Sequence, residues 1–415
     1  MLQFADSPYR YTPPKLNRLF LAILKQSNRA FILRSVANRI RGITVLNMEA
    51  FTAARERAGG RILFLPNHPT HSDPWVMLEL QRRCDANSLF MTAYDVFTRG
   101  RVRAWVVQHG GGFSVDRDAS DSLAMKEAIG TMAAGRYMLT IFPEGNVFFN
   151  NDRVTPFLEG AAFMAMKAQK RVGTRETVAV LPVAMKYTCL NDETRTVRRM
   201  IKEAGVSLGL ELKDNIDLLA KMRRIGITFL SQKLGERGFL TRPPEAELPT
   251  MLRNTAISIT GRLEERMALS PGTGDSLIDR LRKIRRAIHV IRIDAAKEAE
   301  HSEVSEWADE AILVFRILSY SGEYVAENPT VDRFAETAVK LLEDLNSNAR
   351  LPGWDRHVFV RFGEPVFLTD HLGAFGQKAR EAVTHLTTSF ETSVQQALDR
   401  INADNPHPGG QLFDT

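Results

Sequence analysis

Between about residues 42 and 190 the chain alternates short apolar runs with stretches of helical periodicity, and this alternation limits the fold more than any other feature. The runs at 62–65, 88–93, 112–115, 137–142 and 178–184 are too short for helices and end in turn-forming residues. Between them, 74–81, 102–107, 120–134 and 160–169 carry helical spacing, and Gly135 is placed to stop the third of these. This pattern predicts an α/β fold: a mixed, largely parallel sheet flanked by helices.

From 191 to 355 the pattern changes. Long helical stretches at 216–233, 249–267, 276–299, 304–321 and 331–345 dominate, and no strand is evident. Residues 356–368 then alternate like a strand again, around a Gly-Glu-Pro turn. The α/β domain of 42–190 is therefore expected to be interrupted by an all-helical insertion and completed by 356–400. A tail at 401–415 is expected to fray.

The N-terminal segment 1–41 reads as a basic amphipathic helix. No acidic residue occurs from Ser7 to Met48, whereas Arg10, Lys15, Arg18, Lys25, Arg29, Arg34, Arg39 and Arg41 are basic. Leu16, Leu19, Phe20, Ile23 and Leu24 recur at helical spacing. Such a helix can lie on an anionic membrane surface, where each basic residue contributes about 1 kcal/mol. The ordinary alternative is a helix packed on its own domain. No apolar run approaches the roughly 18 residues of a spanning helix, and no secretory signal is evident at the N-terminus. Cys84 and Cys189 lie far apart without metal-ligand spacing, which fits free thiols in a reducing compartment. The net charge of +6 is modest, and without a reading motif or interleaved aromatics it does not point to nucleic acid.

The chemistry concentrates in Asn-His-Pro-Thr-His-Ser-Asp, residues 67–73, where a strand gives way to a helix. Strand ends of this kind are where α/β sheets bind ligands. On one continuous helix His68 and Asp73 would point apart, but a tight turn through Pro69 can bring them together. Asp73 before Pro74 suits a helix N-cap, and its two oxygens leave room for a bond from His68 as well. A carboxylate fixes the imidazole tautomer, and the other ring nitrogen then takes a proton from a hydroxyl. Ser72 lacks the elbow of an enzyme nucleophile, so the hydroxyl would belong to a substrate. The rival reading is a metal site of His68, His71 and Asp73, which lacks a further cluster of ligands. Arg117 can grip a phosphate, Glu144-Gly145 forms a turn after a strand, and Pro182 within a strand suggests an edge, a bulge or a close ligand approach.

Together these stretches resemble the glycerolipid acyltransferases, whose best-known members act on 1-acylglycerol 3-phosphate. The resemblance rests on N-H-x4-D (Asn67, His68, Asp73), on the glycine-to-D-R block (Gly112, Phe113, Val115, Asp116, Arg117), on F-P-E-G (Phe142 to Gly145), and on an apolar strand with proline (Val180 to Val183). It implies that His68 is the base and that Asp73 orients it. It implies that Arg117, Glu144 and Gly145 bind the acceptor, and that Pro182 lies near the acyl chain. The co-substrate would be acyl-CoA or acyl-ACP, with no cofactor and no metal, acting on a glycerol-phosphate or lysophospholipid acceptor at the cytoplasmic face of a membrane. Two departures stand out: Asn146-Val147-Phe148 replaces the family's Thr-Arg-Ser, which leaves Arg153 as a stand-in cation, and Glu159 stands where a lysine is usual.

Overall fold

The computed structural model describes residues 9–117, 121–213, 216–238, 248–293, 301–346 and 350–413. Its strands are β1 (Ile40–Leu46), β2 (Ile62–Pro66), β3 (Ser88–Ala93), β4 (Gly112–Val115), β5 (Met138–Thr140), β6 (Ala179–Cys189), β7 (Arg356–Phe362) and β8 (Val366–Phe367). They form one eight-stranded sheet in the order β1-β7-β6-β2-β5-β3-β4, with β8 paired to β6 beside β7. From β6 to β4 every neighbour is parallel. β7 runs antiparallel to β6 and parallel to β1.

The first helices are α1 (Arg18–Ser27), α2 (Met48–Ala58), α3 (Asp73–Arg83), α4 (Asp95–Thr98), α5 (Arg101–His109), α6 (Ser122–Ala134) and α7 (Gly160–Val172). Both sheet faces are covered, which is why β2 reads as an unbroken apolar run. Ile62 and Phe64 pack toward Phe51 and Ala54 of α2 and Val76 and Leu80 of α3. Leu63 and Leu65 face Ala128 of α6 and Ala165 of α7. Helix α6 starts where Asp121 accepts the Leu123 and Ala124 amides, and it stops at Gly135 in the left-handed region.

Two elements depart from the expectation. The segment 1–41 was expected to be helical, but α1 gives way to a π-helical turn (Asn28–Ile32) and the chain is already in β1 by Ile40. Gly42 breaks the apolar alternation there, and a side chain at that position would meet the His357 ring at 2.6 Å. Pro182 does not mark an edge, because β6 is interior. It falls between the residues paired with β7 and those paired with β8, and its carbonyl accepts the Gly363 amide at 2.9 Å. The N–H it lacks would have pointed at that same turn, outside both ladders.

Between β6 and β7 the chain forms α8 (Thr194–Ser207), α9 (Leu218–Gly235), α10 (Leu248–Arg266), α11 (Leu277–Ile293), α12 (His301–Leu318), α13 (Tyr324–Glu327) and α14 (Val331–Asn346). Val197, Met222, Phe334, Trp354 and Phe413 share one core with α8, α9 and α14. Helices α10, α11 and α12 share another. In α11, Leu281, Ile284 and Ile288 are fully buried, while Arg280 pairs with Glu264 and Lys283 with Asp275. The chain closes with α15 (Leu372–Gln377) and α16 (Ala379–Asp404). The tail does not fray as far as Phe413: its ring lies 4.5 Å from that of Phe334, and its amide donates to Pro329. Among the described residues no helix is long and apolar enough to cross a membrane.

Candidate active site

The parallel strands deliver the site. His68 follows β2, Glu144 and Gly145 follow β5, Asp95 and Arg99 follow β3, and Arg117 follows β4. All leave the same carboxyl edge of four neighbouring strands. They line one cavity of about 1710 Å³, roofed in part by Arg253, Leu277, Arg282 and Phe315 of the insertion.

His68 and Asp73 meet. Nδ1 of His68 lies 2.6 Å from Oδ2 of Asp73. Asp73 is fully buried and accepts three further bonds: from the Thr70 amide at 3.0 Å, from the Thr70 hydroxyl at 3.1 Å and from the Tyr187 hydroxyl at 2.7 Å. The carboxylate's acceptor capacity is thus used up. It does not cap its own helix; it closes the Pro69 turn instead, and Ser72 stands at the N-cap without a side-chain capping bond, its hydroxyl accepting from Arg356 at 2.8 Å. With Nδ1 engaged, the imidazole presents Nε2 to the cavity. Its ring stacks on Phe142 at 4.2 Å, which holds its plane.

Glu144 is buried, and its carboxyl is occupied by protein. It accepts the His68 amide at 2.8 Å and the Thr155 amide at 3.4 Å. Burial pushes its pKa up to about 8. Gly145 needs its φ of +72° for the turn, and a Cβ there would meet Leu158 at 2.8 Å. Its carbonyl accepts Nη1 of Arg117 at 3.2 Å, and Nη2 of Arg117 lies 3.2 Å from Asp95. Arg117 thus pairs with Asp95, whereas its neighbour Asp116 lies 3.2 Å from His289 of α11.

Asn67 and Pro182 are not among the cavity-lining residues. The Asn67 side chain instead bridges both backbone groups of Met185, fixing the end of β2 against β6. His71 turns to Glu343 at 3.4 Å and does not join His68 and Asp73, so the three ligands of the rival metal reading are not assembled. Among the described residues no group of three or more His, Cys, Asp or Glu side chains is placed to hold a metal ion. Arg153 pairs with Glu327 and is also absent from the lining.

Sequence reasoning missed Tyr187. It lies on β6, 114 positions from the carboxylate it serves, and its ring lies under the guanidinium of buried Arg356 at 4.9 Å. It also missed the ionic cluster behind the site, where Lys186 meets Asp152 and Asp332, and Arg333 meets Asp152 at 3.0 Å. The lysine inside the apolar run Val180 to Tyr187 was the available signal, because a buried lysine needs a partner.

Residues 42–186 match the family model described as Acyltransferase. The match supports an acyltransferase domain in this part of the chain, and acyl transfer as its general activity. No curated protein and no solved structure matches the chain. The matched segment includes β2 to β5 and most of β6, and so supplies His68, Asp73, Arg117 and Glu144. The helical block and β7 lie outside it, although both border the same cavity.

Proposed function

We propose that the chain transfers a fatty acyl group from a thioester, acyl-CoA or acyl-ACP, to the hydroxyl of a glycerol-phosphate-type acceptor such as 1-acylglycerol 3-phosphate. Such a step belongs to phospholipid biosynthesis. The observation that carries the reading is the His68–Asp73 pair facing a cavity that also holds Arg117. Nε2 takes the proton of the acceptor hydroxyl as its oxygen attacks the thioester carbonyl. The intermediate collapses, the C–S bond breaks, and the thiolate leaves with the proton returned from the imidazolium. Asp73 stabilises that imidazolium throughout. The step draws on no metal and no prosthetic group.

General-base assistance supplies about 10²–10⁴ in rate. His68→Ala should therefore lower thiol release by at least about 100-fold while the far-UV and thermal profiles of the fold persist. The assay is run across glycerol 3-phosphate, lysophosphatidate, other lysophospholipids and a simple alcohol, which identifies the acceptor. Undiminished ester formation by the purified variant would refute the assignment. The altered residues after Gly145 favour testing the other lysophospholipids and alcohols alongside lysophosphatidate. A non-catalytic adaptor would bind lipid yet consume no thioester in any arm.

On this reading the enzyme works at the cytoplasmic face of a membrane, held peripherally, and the exposed apolar residues near the N-terminus support this. Leu19 and Phe31 are 73% and 75% exposed, and Ile23, Val36, Val102 and Trp105 are exposed as well. Helix α1 is tied to α5 through Asn17 to His109 and through Phe20 on Trp105. From Val96 to Val115 there is no acidic residue, and Arg99, Arg101 and Arg103 are basic. Not every basic residue serves this face: Lys25 is buried on Ala86 and Asn87, and Arg39 and Arg41 pair with Asp355.

A further inference from the structure

Arg356 is a buried cation held by neutral oxygens. It opens β7 opposite Cys189 of β6, which makes Tyr187, two residues along, its diagonal neighbour on the same sheet face. Nε and Nη2 donate to the Asn38 carbonyl, the first at 3.1 Å, and Nη2 also donates to the Ser72 hydroxyl at 2.8 Å. The guanidinium carbon lies 4.9 Å from the centre of the Tyr187 ring. A carbonyl and a hydroxyl would be served as well by a neutral amide; only a nearby anion offsets the cost of a charge there. Burial disfavours that charge, and Tyr187, Asp73 and Cys189 favour it. Burial pushes the Tyr187 phenol and the Cys189 thiol up, so both stay neutral, and Asp73 is the anion that Arg356 faces. Arg356 reaches that carboxylate by two routes. Ser72 is its neighbour in the chain, within the turn that Asp73 closes through Thr70. Tyr187 donates to its Oδ1 at 2.7 Å, while Oδ2 holds Nδ1 of His68 at 2.6 Å.

We propose that Arg356 is a positioning residue for acyl transfer: it fixes Asp73 from the Ser72 side and from the Tyr187 side, and through Asp73 it fixes the ring of His68. This rests on the reading of His68 as the general base. The imidazole serves as a base only while Nδ1 stays on Asp73 and Nε2 stays toward the cavity. A guanidinium suits the task because its planar fork grips two acceptors while its flat face lies on a ring, which an ammonium does not do. The residue comes from β7, outside the matched segment 42–186, so the His68–Asp73 pair is set only once the sheet is closed.

The test uses the full chain with Arg356→Lys, Arg356→Met and Ser72→Ala. Thiol release from acyl-CoA, with the acceptors named above, gives kcat and KM. Arg356→Lys keeps the charge but not the fork, and should lower kcat about 10-fold with both KM values held. Arg356→Met should lose more, and Ser72→Ala, which leaves the arginine in place, less. Combined with Tyr187→Phe, Arg356→Lys should cost less than the product of the two single losses, since both act on one carboxylate. In parallel, proton NMR follows the Nδ1–H of His68, a downfield signal identified by its absence from His68→Ala protein. Arg356→Lys and Ser72→Ala should shift it and speed its exchange with water. An arginine that merely braced β7 would lower the urea midpoint and leave both the kcat of the folded protein and this signal unchanged. Should the Arg356 variants fail to fold, Ser72→Ala decides alone. Unchanged kcat, a raised KM in its place, losses that multiply, or an unmoved signal would overturn the positioning role while the functional reading survives. If the wild type consumes no thioester but the signal depends on Arg356 or Ser72, the functional reading falls and the positioning of His68 stands; if the signal is unmoved as well, both fall.

Discussion

Replacing Tyr187 with Phe removes one hydroxyl and leaves the ring, so the contact with the Arg356 guanidinium at 4.9 Å is kept. What is lost is the bond to Oδ1 of Asp73 at 2.7 Å, inside a fully buried environment. Burial and the neighbouring carboxylate push the phenol's pKa well above its ordinary value, so it remains a donor at any working pH. A hydrogen bond to a charged group contributes about 1.5–3 kcal/mol. Three donors to Asp73 remain, from His68 and Thr70, so the carboxylate stays bound but less firmly oriented. We expect Tyr187→Phe to lower unfolding free energy by about 1.5–3 kcal/mol in urea. A share of about 1.4 kcal/mol in the transition state would lower kcat about 10-fold, with KM for both substrates held. The decisive form is a double-mutant cycle with Asp73→Ala, read by urea unfolding. Without the carboxylate the phenol has nothing to orient, so the two changes should couple by about 1.5–3 kcal/mol. Equal costs of Tyr187→Phe in both backgrounds would refute the reasoning.

Two further outcomes are expected. Glu144 has an unfolded pKa near 4.5 and a folded value raised by burial to about 8. Its neutral form is favoured by folding, so its contribution is fully present below pH about 4.5 and is lost as pH rises toward about 8. The urea stability of the wild type should therefore fall relative to Glu144→Gln across that window and run level above it; parallel curves from pH 5 to 8 would contradict the assignment. Replacing Leu19, Ile23 and Phe31 with Ser should weaken sedimentation with anionic vesicles, and more so in zwitterionic ones, where charge attraction no longer helps. Vesicle binding equal to that of the wild type would remove this face from the proposal.

Much of the fold was legible because period and length speak directly in α/β chains. The runs that became β2, β3 and β4 were short, apolar and bounded by turns, and helix α6 carried both its start and its stop. β1 was not legible, since Gly42 and Arg41 interrupt its alternation and its partner lies more than 300 residues ahead. The tail was misread because its polar, proline-rich composition hides Phe413, whose pocket is built by α14. At the site, His68 and Asp73 were visible because a turn of a few residues joins them. Tyr187 and Asp95 were not, since only the strand order brings them to that cavity. Glu144 was visible as a motif, but the His68 amide it holds was not.

β7 lies between β1 and β6, so the sheet is completed late. A ribosome that has made Cys189 has still to synthesise the entire insertion before Phe362 emerges, on the order of ten seconds or more at ordinary elongation rates. During that interval β1 has no neighbour and β6 shows an open flank rich in Val, Ala and Met, the kind of edge that recruits foreign strands. Nascent chains stalled before residue 356 should thus be the form most in need of chaperone shelter, and any fragment cut within the helical block leaves both flanks bare.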